Sequence, residues 1–224
     1  MMHQRKSKKI FLYFLILLIV GSINNISLND LNLYKIQNIE VSGLNEYENK
    51  KISQNIKNLN LKNILFLNEN EIKNLINSYS VVENYYVFKK YPSTININIE
   101  KTKFFAKINY DNKIFLVGSN GKLTPNNSKY KYLPFIFGTP EIQDFLDFKK
   151  IIKQSKFSYE KIKNLYYFPT KRWDIKMKNN ILIKLPSNLT TKTLDDIYDF
   201  IQNYNLDKMR VIDVRIRNQI ILNE

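Results

Sequence analysis

Few side chains in this sequence are equipped for covalent or acid–base chemistry. It has no cysteine, and its single histidine, His3, sits in a lysine- and arginine-bearing leader. Thiol nucleophiles, disulfides, zinc knuckles and histidine acid–base catalysis are thereby removed together. Asp195, Asp196 and Asp199 could be imagined as cation ligands, but they alternate with Leu194, Ile197, Tyr198 and Ile201, an apolar stripe at helical spacing. The three carboxylates are read as the solvated face of that helix. Tyr85-Tyr86, Tyr166-Tyr167 and Trp173, interleaved with lysines, have the composition of a base-stacking platform. On strands, however, alternate side chains turn inward, so packing is their expected use. Asp213 and Arg215, two apart on one strand, can pair or meet a partner. The glycines, Gly21, Gly43, Gly118, Gly121 and Gly138, are too scattered to assemble a phosphate loop or a dinucleotide fingerprint. No catalytic residue, cofactor or metal is expected, and the chain reads as a binding protein.

The elements that present such surfaces begin with the leader. Arg5, Lys6, Lys8 and Lys9 precede residues 10–23, which carry no charge, and Asn24 and Asn25 interrupt the run before Ile26 and Leu28 extend it. A membrane span needs roughly 20 apolar residues, so the strict run is short. A cleaved signal peptide stays open, although only Val20-Gly21-Ser22 approaches a small-x-small site. The reading is a cytoplasmic tail at residues 1–9 and a single transmembrane helix at residues 10–28. The positive cluster precedes the span and the following residues carry only Asp30, which puts the N-terminus inside and the remainder outside. With 35 Lys+Arg against 20 Asp+Glu the chain is at +15, a charge that raises nucleic acid as a partner. The lysines are spread along the chain rather than gathered into a stripe, which argues against it.

Residues 34–105 read as one small module. A strand at residues 36–41 is followed by Ser42-Gly43 as a turn. Ile52, Ile56 and Leu59 give a helix over residues 48–59, and Asn68, with Glu71 three residues on, caps a second helix bearing Ile72, Leu75, Ile76 and Tyr79. Residues 82–88 and 94–100 are strands, the second alternating Ile95, Ile97 and Ile99 with Asn96 and Asn98. The order β-α-α-β-β makes a sheet covered on one face by two helices.

Residues 106–224 read as a second, mostly antiparallel β-domain with flanking helices. Residues 106–110 and 114–117 form a hairpin, and Asn120-Gly121 supplies another tight turn. Thr139 and Pro140 start a helix running to about residue 153 through Ile142, Phe145, Leu146 and Ile152. Runs centred on Tyr166, Ile175 and Ile183, with a turn at Asn179-Asn180, suggest a meander. The helix of Leu194 and Ile197 then leads to a terminal hairpin, residues 211–216 and 219–222.

Tyr91-Pro92-Ser93-Thr94-Ile95-Asn96-Ile97, with Gly43 and the two helices before it, resembles a POTRA domain of the FtsQ/DivIB family. Arg172-Trp173-Asp174-Ile175-Lys176, Ile183-Lys184-Leu185-Pro186 and Val211-Ile212-Asp213-Val214-Arg215 resemble that family's β-domain, in the same order. Departures stand at Tyr85-Tyr86, where the family often has a small residue, at Glu100-Lys101-Thr102-Lys103, where a proline often follows the glutamate, and at Asn179-Asn180 in place of Asn-Gly.

The resemblance implies an α+β protein with one N-terminal transmembrane helix, a POTRA domain and a β-domain, acting as a non-catalytic division scaffold. It implies FtsB and FtsL as partners and a place in the bacterial inner membrane at the division septum, with both domains periplasmic. By position it assigns the docking edge to Arg217, Asn218, Gln219, Ile220, Ile221 and Leu222, with Tyr198 as a further contact. An exposed strand edge suits that role, since its unpaired N–H and C=O groups accept an added strand. The other readings are a POTRA-bearing envelope transport component, and a membrane-tethered basic binder of polymer or nucleic acid.

Overall fold

The computed structural model of the chain describes residues 6–23, 35–61, 63–126, 130, 132–204, 209–217 and 219–223. Helix α1 (Lys6–Ile23) exposes every apolar side chain from Ile10 to Val20. A helix apolar on all sides has no stripe to lay on a core. No helix among the described residues is long and apolar enough to cross a membrane. The uncharged part of α1, residues 10–23, rises about 21 Å at about 1.5 Å per residue, against a hydrocarbon layer of about 30 Å. The expected span over residues 10–28 reaches past α1, and its last residues lie outside the described ones.

The chain forms two compact units, one built from the residues up to Ser78, α1 included, with Tyr85–Glu100, the other from Tyr79–Asn84 with Lys101 onward. The first contains β1 (Asn38–Ser42), α2 (Glu46–Lys57), α3 (Glu69–Asn77) and, apart from Val82–Asn84 and Lys101, β2 (Val82–Lys90) and β3 (Thr94–Lys101), in the expected β-α-α-β-β order. The sheet order is β1-β3-β2, with β1 parallel to β3 so that Ile39 meets Ile95 and Val41 meets Ile97. Ile52 and Ile56 of α2, Ile72 and Ile76 of α3, and Ile95, Ile97 and Ile99 are all buried, which is the core that the two spacings call for. α2 starts and ends two residues earlier than expected, because Asn45 caps it by accepting the Glu48 N–H at 2.8 Å. Leu59 consequently falls beyond α2, and Tyr79 falls beyond α3, which ends at Asn77 with Ser78 as its C-cap. Asn68 caps α3 by accepting the Asn70 N–H.

The second unit contains β4 (Phe104–Tyr110), β5 (Lys113–Gly118), β6 (Leu123–Pro125), β7 (Phe135–Phe137), α4 (Ile142–Gln154), β8 (Ile162–Tyr167), β9 (Trp173–Met177), β10 (Leu182–Lys184), α5 (Thr191–Asn203), β11 (Val211–Asp213) and β12 (Ile221–Asn223). Among the described residues they form one sheet in the order β12-β11-β10-β9-β8-β7-β4-β5-β6. Antiparallel pairs predominate, but β4–β7, β7–β8 and β10–β11 are parallel. Phe145, Phe148 and Ile152 of α4 and Leu194 and Ile197 of α5 pack with Trp173, Ile175, Ile183 and Ile212 in a single core. α4 begins at Ile142 with Glu141 at the cap, not at Thr139 and Pro140. β8, β9 and β10 form the expected meander, turning at Asn180, whose φ of 67° asparagine tolerates.

Candidate partner-binding edge

β12 is an outermost strand of the larger sheet. On one side it pairs with β11, Ile212 opposite Leu222 and Asp213 opposite Ile221, and on its other side no strand adjoins it among the described residues. Strand alternation turns Leu222 toward the core, where it is half-buried, and leaves Ile221 exposed. Gln219 and Ile220 lead into the strand and are exposed, Arg217 occupies the turn before them, and Asn218 lies outside the described residues. Tyr198 is half-buried on α5 with its ring edge-on to Phe157 at 6.2 Å between centroids. Of the sequence-assigned residues, Arg217 and Gln219 to Leu222 lie along this edge and its approach, and Tyr198 lies on α5 against Phe157.

A groove of about 650 Å³ adjoins this edge. One wall is Pro186 and the first turns of α5, with Thr190, Thr193 and Ile197, and the other is the 214–220 segment, including Arg217, Gln219 and Ile220. Thr190 fixes the start of α5 by accepting the Thr193 N–H at 3.2 Å, which holds that wall in place.

On the sheet face turned away from α4 and α5, a second cavity of about 360 Å³ is lined by Tyr166, Arg172, Asp174, Lys176, Lys184 and Arg215. Arg215 lines both cavities. Asp174 accepts from the Arg172 Nε at 3.2 Å and from the Leu185 N–H at 3.3 Å. Burial pushes its carboxyl above the ordinary value, against the pull of Arg172. Asp213 has the opposite balance: the Arg215 guanidinium, 2.6 Å away at its shortest contact, holds its carboxyl low. The face nonetheless keeps more cations than carboxylates, an arrangement suited to an acidic partner segment. The sequence offers Asp213 with Arg215 as a pair and Arg172 with Asp174 in one motif, but not the groove or the grouping of these residues with Lys184. The signal was the two-residue alternation on neighbouring strands, which sends Arg172, Asp174 and Lys176 to the same side as Lys184 once the β9–β10 register is known.

The chemistry considered and set aside has ordinary structural uses. Asp195 accepts the Lys156 N–H at 2.7 Å and Asp199 pairs with the Lys156 ammonium. No group of three or more potential metal-ligating side chains occurs among the described residues. Trp173 is buried against Phe148, with centroids 4.7 Å apart and planes 14° from parallel.

Comparison with known proteins follows the same division. A model described as the POTRA domain, FtsQ-type, matches residues 34–101, and one described as cell division protein FtsQ/DivIB, C-terminal, matches residues 106–215. The edge at residues 217–222 lies beyond the second match. The cell division protein FtsQ of Rickettsia typhi is 24% identical over 192 residues, covering 83% of this chain and 71% of that protein. The FtsQ of Rickettsia bellii is 26% identical over 160 residues, covering 69% of this chain and 58% of that protein. The major extracytoplasmic domain of DivIB from Geobacillus stearothermophilus aligns at a TM-score of 0.33 and 12% identity, covering 47% of this chain and 99% of that one, a likeness too low to argue from. With an FtsQ-type POTRA match and an FtsQ/DivIB C-terminal match following one another along it, the chain belongs to the FtsQ/DivIB family of bacterial cell-division proteins.

Proposed function

We propose that this protein is a non-catalytic, membrane-anchored division scaffold that captures a strand of an FtsB-type partner along β12, with FtsL in the same assembly. The observation that carries the reading is the unpaired side of β12, flanked by the α5 groove and by the cation-rich face around Arg215. An added strand would gain main-chain hydrogen bonds along the edge, and side chains flanking it would enter the groove. The cations would favour an acidic segment and raise the encounter rate more than the final affinity. The anchor would be α1 with the residues after it, the N-terminus cytoplasmic and both units periplasmic. Its support is the positive cluster at the start of α1, ahead of apolar side chains from Ile10 to Val20 that are all exposed.

Proline removes a backbone donor, and successive N–H groups along a strand point to opposite sides. Of Ile220→Pro and Ile221→Pro, the one whose N–H points outward should keep the folded fluorescence of Trp173 while losing co-purification of FtsB. Undiminished FtsB capture by both variants would overturn the strand-addition reading. A fluorescent fusion that fails to concentrate at mid-cell would overturn the division role itself.

A further inference from the structure

One end of the first unit gathers exposed apolar side chains that neither its core nor the β12 edge uses. Asn38, the first residue of β1, lies opposite Thr94, and the N–H groups of Gln37 and Asn38 both donate to Ser93 O, at 2.9 and 3.2 Å. Lys35 forms a bridge with Asn63, and the Lys89 ammonium lies 3.3 Å from Glu69. These links bring three segments to the place where the chain arrives from α1: the turn between β2 and β3, the α2–α3 connection, and residues 35–38. On the connection and the turn stand Leu65 (46% exposed), Phe66 (57%) and Tyr91 (57%), and Phe88 (52%) lies near the end of β2, two residues before that strand finishes.

The display is ordered. Ile64 is fully buried and Asn63 accepts the Leu65 N–H at 2.8 Å, so the Leu65-Phe66 pair is held outward by a fixed turn. Lys35 and Lys90 are exposed at the same end; of the two carboxylates in the first turn of α3, Glu69 is matched by Lys89 and Glu71 is exposed, so the lysines Lys35, Lys89 and Lys90 exceed the carboxylates by one. Aromatic and aliphatic side chains with lysines beside them are what the interface of an anionic bilayer takes up: rings settle at headgroup level and ammonium groups meet lipid phosphates. The tether favours the same occupant. From Ile23 to Lys35 the covalent chain can span at most about 40 Å, and it enters the unit at this end, so an anchored α1 makes this the end nearest the point of attachment.

We infer that the end of the first unit formed by Leu65, Phe66, Phe88 and Tyr91 with its flanking lysines docks on the surface of an anionic lipid bilayer. This rests on the anchor reading given above. Docking would hold the first unit against the membrane instead of leaving it free on its tether.

The chain has no cysteine, so single-site labelling is unambiguous. The full chain would be reconstituted into phosphatidylcholine vesicles with and without phosphatidylglycerol, carrying an environment-sensitive fluorophore at Phe66→Cys, Tyr91→Cys or, as control, Tyr47→Cys. Tyr47 is 76% exposed and begins the helix reached from the opposite end of β1. The expected result is a blue shift and severalfold stronger quenching by headgroup-level quencher lipids at 66 and 91 than at 47, reduced without phosphatidylglycerol. Equal responses at all three sites in vesicles that float with the protein would overturn the docking and leave the anchor standing. Protein that fails to float would overturn the anchor, and the docking with it. Energy transfer between labelled copies in place of lipid quenching would assign the patch to self-association and overturn the inference.

Discussion

Phe148→Ala tests whether α4 is fastened to the second unit by the Phe148–Trp173 stack. Phe148 is 3% exposed, and its ring lies nearly parallel to the Trp173 indole at 4.7 Å. Truncating a buried phenylalanine costs about 3–5 kcal/mol, of which the ring pair accounts for about 0.5–1.5. At about 0.05–0.15 kcal/mol per residue, a unit of this size has a total stability on the order of 6–18 kcal/mol, so the loss is a large part of it. With a urea dependence of about 2 kcal/mol per molar, the unfolding midpoint should fall by about 2 M. Trp173 is the only tryptophan in the sequence, so its fluorescence follows the second unit without contribution from the first. Tyr204→Ala is the control: that ring stacks on Phe200 at 4.5 Å but is 61% exposed, and its loss should cost less than about 1 kcal/mol. If Phe148→Ala lowers the midpoint no more than Tyr204→Ala does, the core is not built around this stack.

Two carboxylates near the docking edge should respond to acid with opposite signs. Asp213 is held below its ordinary value of 3.8 by Arg215, so it contributes stability that is present above 3.8 and lost as the pH falls toward its folded value. Asp174 is raised by burial, so its contribution is full below 3.8 and lost as the pH rises through its folded value. Asp213→Asn should therefore flatten the acid limb of a stability–pH curve and Asp174→Asn steepen it, and equal slopes in acid denaturation would refute the assignment. Gly43→Ala should unravel the β1–β3 pairing, because φ is +103° and a β-carbon would fall 1.7 Å from the Ile99 carbonyl oxygen. Amide hydrogen exchange at Ile97 and Ile99 reports it, and undiminished protection there would show that the turn can relax.

Local periodicity made the first unit readable. Ile52 and Ile56, Ile72 and Ile76, and the alternation of Ile95, Ile97 and Ile99 each state which side of an element is dry, and all are buried. The start of α2 was misplaced although Asn45 and Glu48 carry the spacing of a capping pair. In the second unit the meander was legible because short turns join its strands. The insertion of β7 between β4 and β8 was not, since parallel neighbours are joined through distant segments and leave no mark in the local sequence. The candidate edge was placed at residues 217–222 through the resemblance, and the structure added what a linear reading lacks: a groove assembled from residues 186–197 and 214–220, and a charged face drawn from β9, β10 and the Arg215 segment.

The position of β12 also sets a timing. Its only strand neighbour among the described residues is β11, which lies parallel to β10 and is reached only after α5 has crossed back over the sheet. The ribosome therefore delivers β12 after every other described strand of its sheet, onto an edge that β11 provides. If β12 is the docking edge proposed above, a chain whose β11 has not yet joined β10 would offer the partner no ledge, and recruitment would wait until both strands are in place.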